Sequence, residues 1–311
     1  MQRNKLKSLI HFHFIVFIFG FTAILGSLIS IDSVQLVWYR MLIASICLLI
    51  LAPFLNKKLN ISMSLFLKLF FCGVIISLHW VFFFKAIKVS NVSITLSILS
   101  LGAFITSFLE PILYKRKIVF YEVILGLLVV AGTAIIFKTQ FHYLEGILYA
   151  LVSVILSVFF TLFNGKLIGK TSSFTISLYE LMGGFLTISI LLIINNDLNL
   201  DLLSLKNNDF VWLFILGTIC TAYAFVISVE VMKHLTPYSV MLSINMEPVY
   251  GILLAIVFLN ESENMSFDFY IGFLLIFISV ILNGILKLKQ KKIWSNLLFI
   301  FDNNFLFIWN I

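Results

Sequence analysis

The sequence predicts an all-α membrane protein of ten transmembrane helices, arranged as two inverted five-helix repeats. Three observations predict this. First, 61% of the 311 residues are hydrophobic and only 11% are charged, whereas soluble domains carry about a quarter charged residues. Second, the apolar residues gather into ten runs of about 20 or more, each long enough to cross roughly 30 Å of hydrocarbon as a helix. Third, the second half of the chain echoes the first with its loop charges reversed in sign.

In chain order, the basic lead MQRNKLK opens the first span, Leu9–Ile31. This run is longer than the apolar core of a signal peptide. No small-x-small cleavage site follows it and a second apolar run begins at once, so it is read as a retained span. Spans two to five are Ser33–Leu55, Met63–Ile87, Asn91–Leu113 and Ile118–Phe137. Spans six to ten are His142–Asn164, Phe174–Asn195, Phe210–Val231, Tyr238–Leu259 and Phe267–Leu286. Helices are expected because each satisfies its own backbone hydrogen bonds in lipid. The short connections leave no room for a large soluble domain. Past Leu286 the basic run KLKQKK leads to a tail with apolar pieces too short to span, read as interfacial, with Trp294 and Trp309 near the headgroups.

The net charge of +7 is a topology signal and gives no reason to expect nucleic acid. With the N-terminus in the cytoplasm, fifteen Lys and Arg, among them Arg3, Lys57, Lys115 and Lys287, fall on that side. Only four, Lys85, Lys88, Lys138 and Lys206, fall outside, while Arg40 and Lys68 lie within spans. Positive residues collect on the cytoplasmic side, so both termini are expected there, in the inner cell membrane. The outer loops are acidic, with Asp197, Asp201, Asp209, Glu261, Glu263 and Asp268. Cys47, Cys72 and Cys220 lie inside apolar spans without CxxC spacing and read as small core residues.

Shifting the chain on itself by 146 residues places Ser93, Leu96, Ser97, Ile98 and Gly126 on Ser239, Leu242, Ser243, Ile244 and Gly272. The same shift sets Leu101 on Glu247, Gly102 on Pro248 and Lys115 on Glu261, and a shift of 140 sets Trp38-Tyr39-Arg40 on Leu178-Tyr179-Glu180. Because each half holds an odd number of spans, the copies are inverted, an architecture that in secondary transporters places a site at the repeat interface near the midplane. The repeats are read as residues 1–140 and 141–287, followed by the tail 288–311.

Glu247-Pro248, then Leu259-Asn260-Glu261, then Gly272 resemble the fourth and fifth helices of a repeat in the drug/metabolite transporter superfamily, EamA-like branch. The first repeat is similar but departs from the pattern at Gly102 and Lys115. The segments TLFNGK (Thr161–Lys166), YELMGG (Tyr179–Gly184) and CTAYAF (Cys220–Phe225) also resemble that branch, over roughly Leu9 to Leu286. The resemblance implies a solute carrier, usually an exporter of small metabolites, with no particular substrate.

Polar groups deep in apolar spans are the candidate transport-pathway residues, because they are costly in hydrocarbon and tolerated mainly for function. At 1.5 Å of rise per residue, Arg40 and His79 lie roughly 10 Å from the outer ends of their helices. They are candidates to hold an anionic group, against the alternatives of snorkelling and a plain interhelical hydrogen bond. Glu180 lies roughly 10 Å from the inner end of its helix, and Glu247 about 15 Å from the inner end of the ninth. Either is a candidate carrier of a coupling proton or a buried structural acid, and Tyr179 neighbours the first. Pro248 removes a helical N–H and clashes with the carbonyl of Ile244, predicting a kink that turns carbonyls near Asn245 toward the cavity. Tyr223 and Asn164 are candidate polar walls.

No catalytic constellation is found: GxxxxGK[ST], HExxH, GxSxG and a strand–helix GxGxxG are all missing, and the five histidines are scattered. No metal and no cofactor are expected. The expected partners are a small-molecule solute, the bilayer and a coupling proton, with the chain a monomer or homodimer. The reading is a secondary transporter that exports a small metabolite by alternating access. The alternative from another class is a membrane-embedded enzyme or lipid-handling protein using the same cavity; a passive channel is a third.

Overall fold

The computed structural model describes residues 2–139, 141–197, 205, 207–259, 266–279, 281–282 and 285–286. Asp201, Lys206, Asn260, Glu261, Glu263, the basic run from Lys287 and the tail 288–311 lie outside the described residues. All regular structure among the described residues is helical. The first repeat comprises α1 Gln2–Leu28, α2 Ser33–Phe54, α3 Met63–Val89, α4 Val92–Leu99, α5 Leu101–Tyr114 and α6 Phe120–Thr139. The second comprises α7 Leu144–Leu167, α8 Ser173–Ile194, α9 Asn207–Gly217, a π-helical segment Thr218–Tyr223, α10 Ala224–Val231, α11 Pro237–Ile244, α12 Glu247–Leu259 and α13 Phe267–Ser279. Taking α4–α5, α9–α10 and α11–α12 each as one run, eight helices are long and apolar enough to cross a membrane. Two more, Phe120–Ile136 and Phe267–Ser279, are shorter apolar helices, completing ten in two inverted sets of five.

The helix starts follow from short polar side chains that accept the unpaired first-turn N–H groups. Asp32 caps α2 through Val34 N–H (2.7 Å), Asn91 caps α4 through Ile94 N–H (2.9 Å), and Ser172 caps α8 through Thr175 N–H (3.0 Å). Thr236 caps α11 with Pro237 at the first position, where a missing N–H costs nothing. The helix α1 begins earlier than its apolar run, at Gln2, because the basic lead contains neither Gly nor Pro and Lys, Arg and Gln are good helix formers.

The fourth helix of each repeat is broken, by different chemistry. In the second repeat α11 stops at Ile244 and α12 restarts at Glu247, with Pro248 as its second residue. The first repeat has no proline there, yet α4 stops at Leu99 and α5 starts at Leu101. Hydroxyls supply the bend: Thr95 donates to the Asn91 carbonyl, Ser97 to Ser93 and Ser100 to Ser97, a back-bonding pattern that bends helices.

Both repeats contribute to the four most extensive helix interfaces. The helix α3 packs along α7 and α8, α1 along α12, and α2 along α8. Gly73 lets α3 meet α8 backbone to backbone: a Cβ built there would lie 2.4 Å from the Glu180 carbonyl oxygen and 2.8 Å from Gly184 N. Symmetry-related helices also meet each other. Trp38 Nε1 of α2 donates to Ser189 Oγ of α8 (2.9 Å), and Ser279 Oγ of α13 donates to the Leu125 carbonyl of α6 (2.7 Å).

The two ends of the bundle are tied differently. At the end carrying the α1–α2 connection, Asp209 accepts from Ser30 N–H (2.8 Å) and Ser30 Oγ–H (2.5 Å), and Lys88 Nζ donates to the Ile29 carbonyl (2.8 Å). At the α2–α3 end, Glu110 accepts from Tyr238 N–H (2.6 Å) and pairs with Arg116 (3.0 Å), which also reaches Glu122 (3.3 Å). That network joins α5 and α6 to the start of α11.

Candidate functional site

Where the two repeats meet, a cavity of about 90 Å³ is lined from α1, α2, α3, α4, α7, α10, α11 and α12. Its walls include Val240, in the first turn of α11, and Met232, just past α10, so it reaches the α2–α3 end. Toward the other end its lining on α3 stops at Phe83, six residues before the helix ends, about 9 Å short.

Arg40 enters this cavity from α2 at 1% exposure. Its guanidinium lies 3.7 Å from the centroid of the Trp80 ring, a stacking that gains strength when desolvated. Nε donates to Thr221 Oγ1 (2.6 Å) and Nη2 to the Cys220 carbonyl (3.4 Å). Both partners belong to the π-helical segment, whose wider turn detaches carbonyls from the ordinary ladder. Thr221 Oγ1 itself donates to the Leu216 carbonyl five residues back (2.6 Å). Such segments often occur at functional sites. Nη1 finds no hydrogen-bond partner among the described residues.

His79 lines the cavity from α3 and is fixed by α7: Nδ1 lies 2.9 Å from the Ser153 carbonyl and 2.8 Å from Ser153 Oγ. A carbonyl only accepts, so Nδ1 carries the hydrogen and Nε2 is left for the cavity. Glu247 lines it from the first residue of α12, at 7% exposure, where the helix N-terminus favours a carboxylate. The ion pairs among the described residues join Arg116 to Glu110 and Glu122, and Lys233 to Glu230. Arg40 and Glu247 thus share the cavity, one basic and one acidic side chain, without an ion pair between them. Phe19, Phe160 and Phe225 supply apolar wall, and Thr22, Ser157 and Ser228 supply hydroxyls.

Of the sequence candidates, Arg40, His79 and Glu247 therefore meet in one cavity, and the others sit elsewhere. Tyr179 donates to the Leu59 carbonyl (3.0 Å) in the α2–α3 connection. Tyr223 is 42% exposed on the outside of the bundle, hydrogen-bonded to His11 Nε2 (2.8 Å). Asn245 caps α11 and faces a separate chamber of about 10 Å³ beside Glu122 and Ser279. Pro248 is buried in the first turn of α12. Glu180 is wholly buried between α8, α7 and α3, bonded to Asn164 Nδ2 (3.2 Å).

Sequence reasoning missed Trp80, Thr221 and Phe225. Trp80 follows His79 directly and opens the aromatic run Trp80, Phe82, Phe83 and Phe84, and that cluster beside a polar residue in a span was the available signal. The other two lie in the CTAYAF segment already noted for its resemblance.

Comparison with known proteins supplies a setting for this geometry. A profile described as the EamA-like transporter family matches residues 7–138 and 144–285, one repeat each. No curated protein matches the chain. One solved crystal structure superposes with a TM-score of 0.67 at 14% sequence identity, covering 88% of this chain and 96% of its own. At that identity the likeness is one of fold.

Proposed function

Because this chain belongs to the EamA-like transporter family of multi-pass membrane proteins, we propose that its central cavity is the solute site of a secondary exporter working by alternating access. The observation that carries this reading is the meeting of Arg40 and Glu247. They are a base and an acid, one from each repeat, both buried in one cavity, and inverted-repeat transporters place their sites at such an interface. Arg40 Nη1 is the free donor for an anionic or strongly polar group of a small metabolite, and His79 Nε2 offers a second polar contact. The aromatic wall takes the apolar body of the solute.

The distribution of basic residues supports a cytoplasmic α2–α3 end and cytoplasmic termini for a protein of the inner membrane. The cavity reaches that end, while the opposite end is tied by Asp209–Ser30 and Lys88–Ile29. A site loaded from the cytoplasm behind a closed outer end suits export. In this reading, residues 1–140 and 141–287 rock against each other, and Glu247 carries a proton that leaves or returns as the site changes sides.

Flux of labelled candidate metabolites through proteoliposomes tests this. Wild-type protein is expected to move a solute faster under an imposed proton gradient, with Glu247→Gln insensitive to the gradient. Equal flux and equal pH dependence in Glu247→Gln would refute the proton role. Turnover of a lipid or metabolite without flux would refute the transporter reading.

A further inference from the structure

We propose that Glu180, Asn164 and Ser177 form a second site, separate from the central cavity, that binds one monovalent cation, sodium by its oxygen set. Glu180 is fully buried and accepts side-chain hydrogen bonds from Asn164 Nδ2, to Oε2 at 3.2 Å, and from the Cys72 thiol. Three oxygens here have no hydrogen-bond partner: Glu180 Oε1, Asn164 Oδ1 and Ser177 Oγ, on residues that are each 0% exposed. Ser177 precedes Glu180 by three residues on α8, which places both on one face of that helix. Cys72 of α3 lies against the carboxylate, and a thiol is only a weak donor. Among the described residues no Lys, Arg or His pairs with Glu180.

A buried carboxylate with neither counter-ion nor full hydrogen bonding is strongly disfavoured. A proton on Oε1 can join that oxygen to one other and leaves the third unsatisfied, whereas a cation draws on all three. The single carboxylate matches one positive charge, and a divalent ion would leave an excess charge buried. Room is short because α3 lies at backbone contact, with the Glu180 carbonyl 2.4 Å from where a Gly73 Cβ would stand. That favours sodium over the larger potassium.

The inverted duplication gives the site its meaning. Arg40 and Glu180 occupy equivalent places, 140 residues apart. Gly217 backs onto the Arg40 carbonyl as Gly73 backs onto that of Glu180. The backbone carbonyl of Cys220 meets Arg40, and the thiol of Cys72 meets Glu180. The first repeat therefore holds a fixed positive charge where the second holds a carboxylate ready for a mobile one. Thr161, one turn before Asn164 on α7, lines the central cavity, so occupancy of the second site is felt there. Its use as a coupling ion rests on the transport reading; binding itself does not.

The test uses the purified full chain in detergent. Thermal unfolding is followed in NaCl, KCl and choline chloride at equal ionic strength and fixed pH, together with equilibrium binding of radiolabelled sodium. Sodium is expected to raise the melting temperature saturably and to bind at one site per chain. Glu180→Gln should abolish both effects, and Ser177→Ala, a small truncation that keeps the carboxylate, should weaken apparent sodium affinity about tenfold. Equal melting in the three salts, or a sodium effect retained in Glu180→Gln, overturns the proposal. So does a wild-type response to pH alone, which would assign the site to a proton. None of these readouts requires flux, so failure here is distinguishable from failure of the transport reading.

Discussion

Gly73→Ala is the substitution whose effect follows most directly from the packing. The added methyl would stand 2.4 Å from the Glu180 carbonyl oxygen, 2.8 Å from Gly184 N and 3.1 Å from the Gly183 carbonyl carbon, all backbone atoms. None of them belongs to a side chain that can rotate away. To reach ordinary contact α3 and α8 must part by about 1 Å, loosening the dispersion contacts along a long interface. Overpacking of a close-packed site costs about 1–3 kcal/mol, and the rigid surroundings place this case near the top, about 2–3 kcal/mol. With an unfolding entropy of about 2.1 cal/mol/K per residue, a chain of 311 residues falls by about 3–5 °C in melting temperature. Gly102→Ala is the internal control. Its methyl meets the terminal Cε of Met241 first, and the next atoms are Val154 Cγ2 at 3.3 Å and Val158 Cγ2 at 3.7 Å. The end of a methionine side chain can adjust, so the loss should be at most half as large. The assay is thermal unfolding of detergent-solubilised protein followed by the monodisperse fraction. Equal melting of Gly73→Ala and wild type, or a larger loss in Gly102→Ala, would refute the backbone-contact argument.

Two further predictions concern polar contacts. Thr221→Val removes the acceptor of Arg40 Nε and leaves a buried charged donor unpaired, at a cost of about 1–3 kcal/mol. Melting temperature and solute flux should both fall, and Thr221→Ser should restore them; a Val variant indistinguishable from wild type would show that Thr221 does not hold the guanidinium. Asp209→Ala removes both bonds to Ser30, worth about 2 kcal/mol together, so backbone hydrogen exchange over residues 29–32 should speed about 30-fold. Unchanged exchange there would mean that Asp209 does not close this end of the bundle.

How far the site was legible in the sequence depends on direction. Depth along a helix is counted from residue number, and on that axis Arg40, His79 and Glu247 were found together. Direction around a helix needs an amphipathic pattern, and spans that are apolar on every side provide little of one. Glu180 at a plausible depth, its neighbour Tyr179 and the candidate wall Tyr223 therefore face a buried interface, the α2–α3 connection and the exterior. The π-helical segment adds a second obstacle. Its extra residue per turn rotates everything beyond Gly217 relative to a regular helix, which brings Phe225 and Ser228 onto the cavity and leaves Tyr223 outside. The break in α11–α12 was legible from Pro248. Its counterpart at Ser100 was not, because there the signal is a run of back-bonding hydroxyls, Thr95, Ser97 and Ser100, in a helix that otherwise reads as continuous.

The two repeats share a fold and divide the charges unequally. The first supplies Arg40, whose charge is permanent and whose orientation is held by the π-helical segment of the second. The second supplies two carboxylates deep in the bundle, Glu247 at the cavity and Glu180 in the interface with α3 and α7, whereas the buried Glu110 and Glu122 of the first are paired with Arg116. A transporter must exchange something between its two states, and a guanidinium does not give up its proton under physiological conditions. Carboxylates exchange a proton or an ion readily, so under the proposed function exchange would fall to the second repeat and anchoring of the solute to the first. That division makes the single variants Arg40→Lys and Glu247→Gln unequal in kind. Arg40→Lys retains a charge but loses the planar fork that spans Thr221 and the Cys220 carbonyl, so it should impair solute affinity under every gradient. Glu247→Gln retains the shape and loses only exchange, so it should impair the response to a gradient and spare affinity. If the two variants instead lose affinity and gradient response together, the division is wrong and the charges act as one unit.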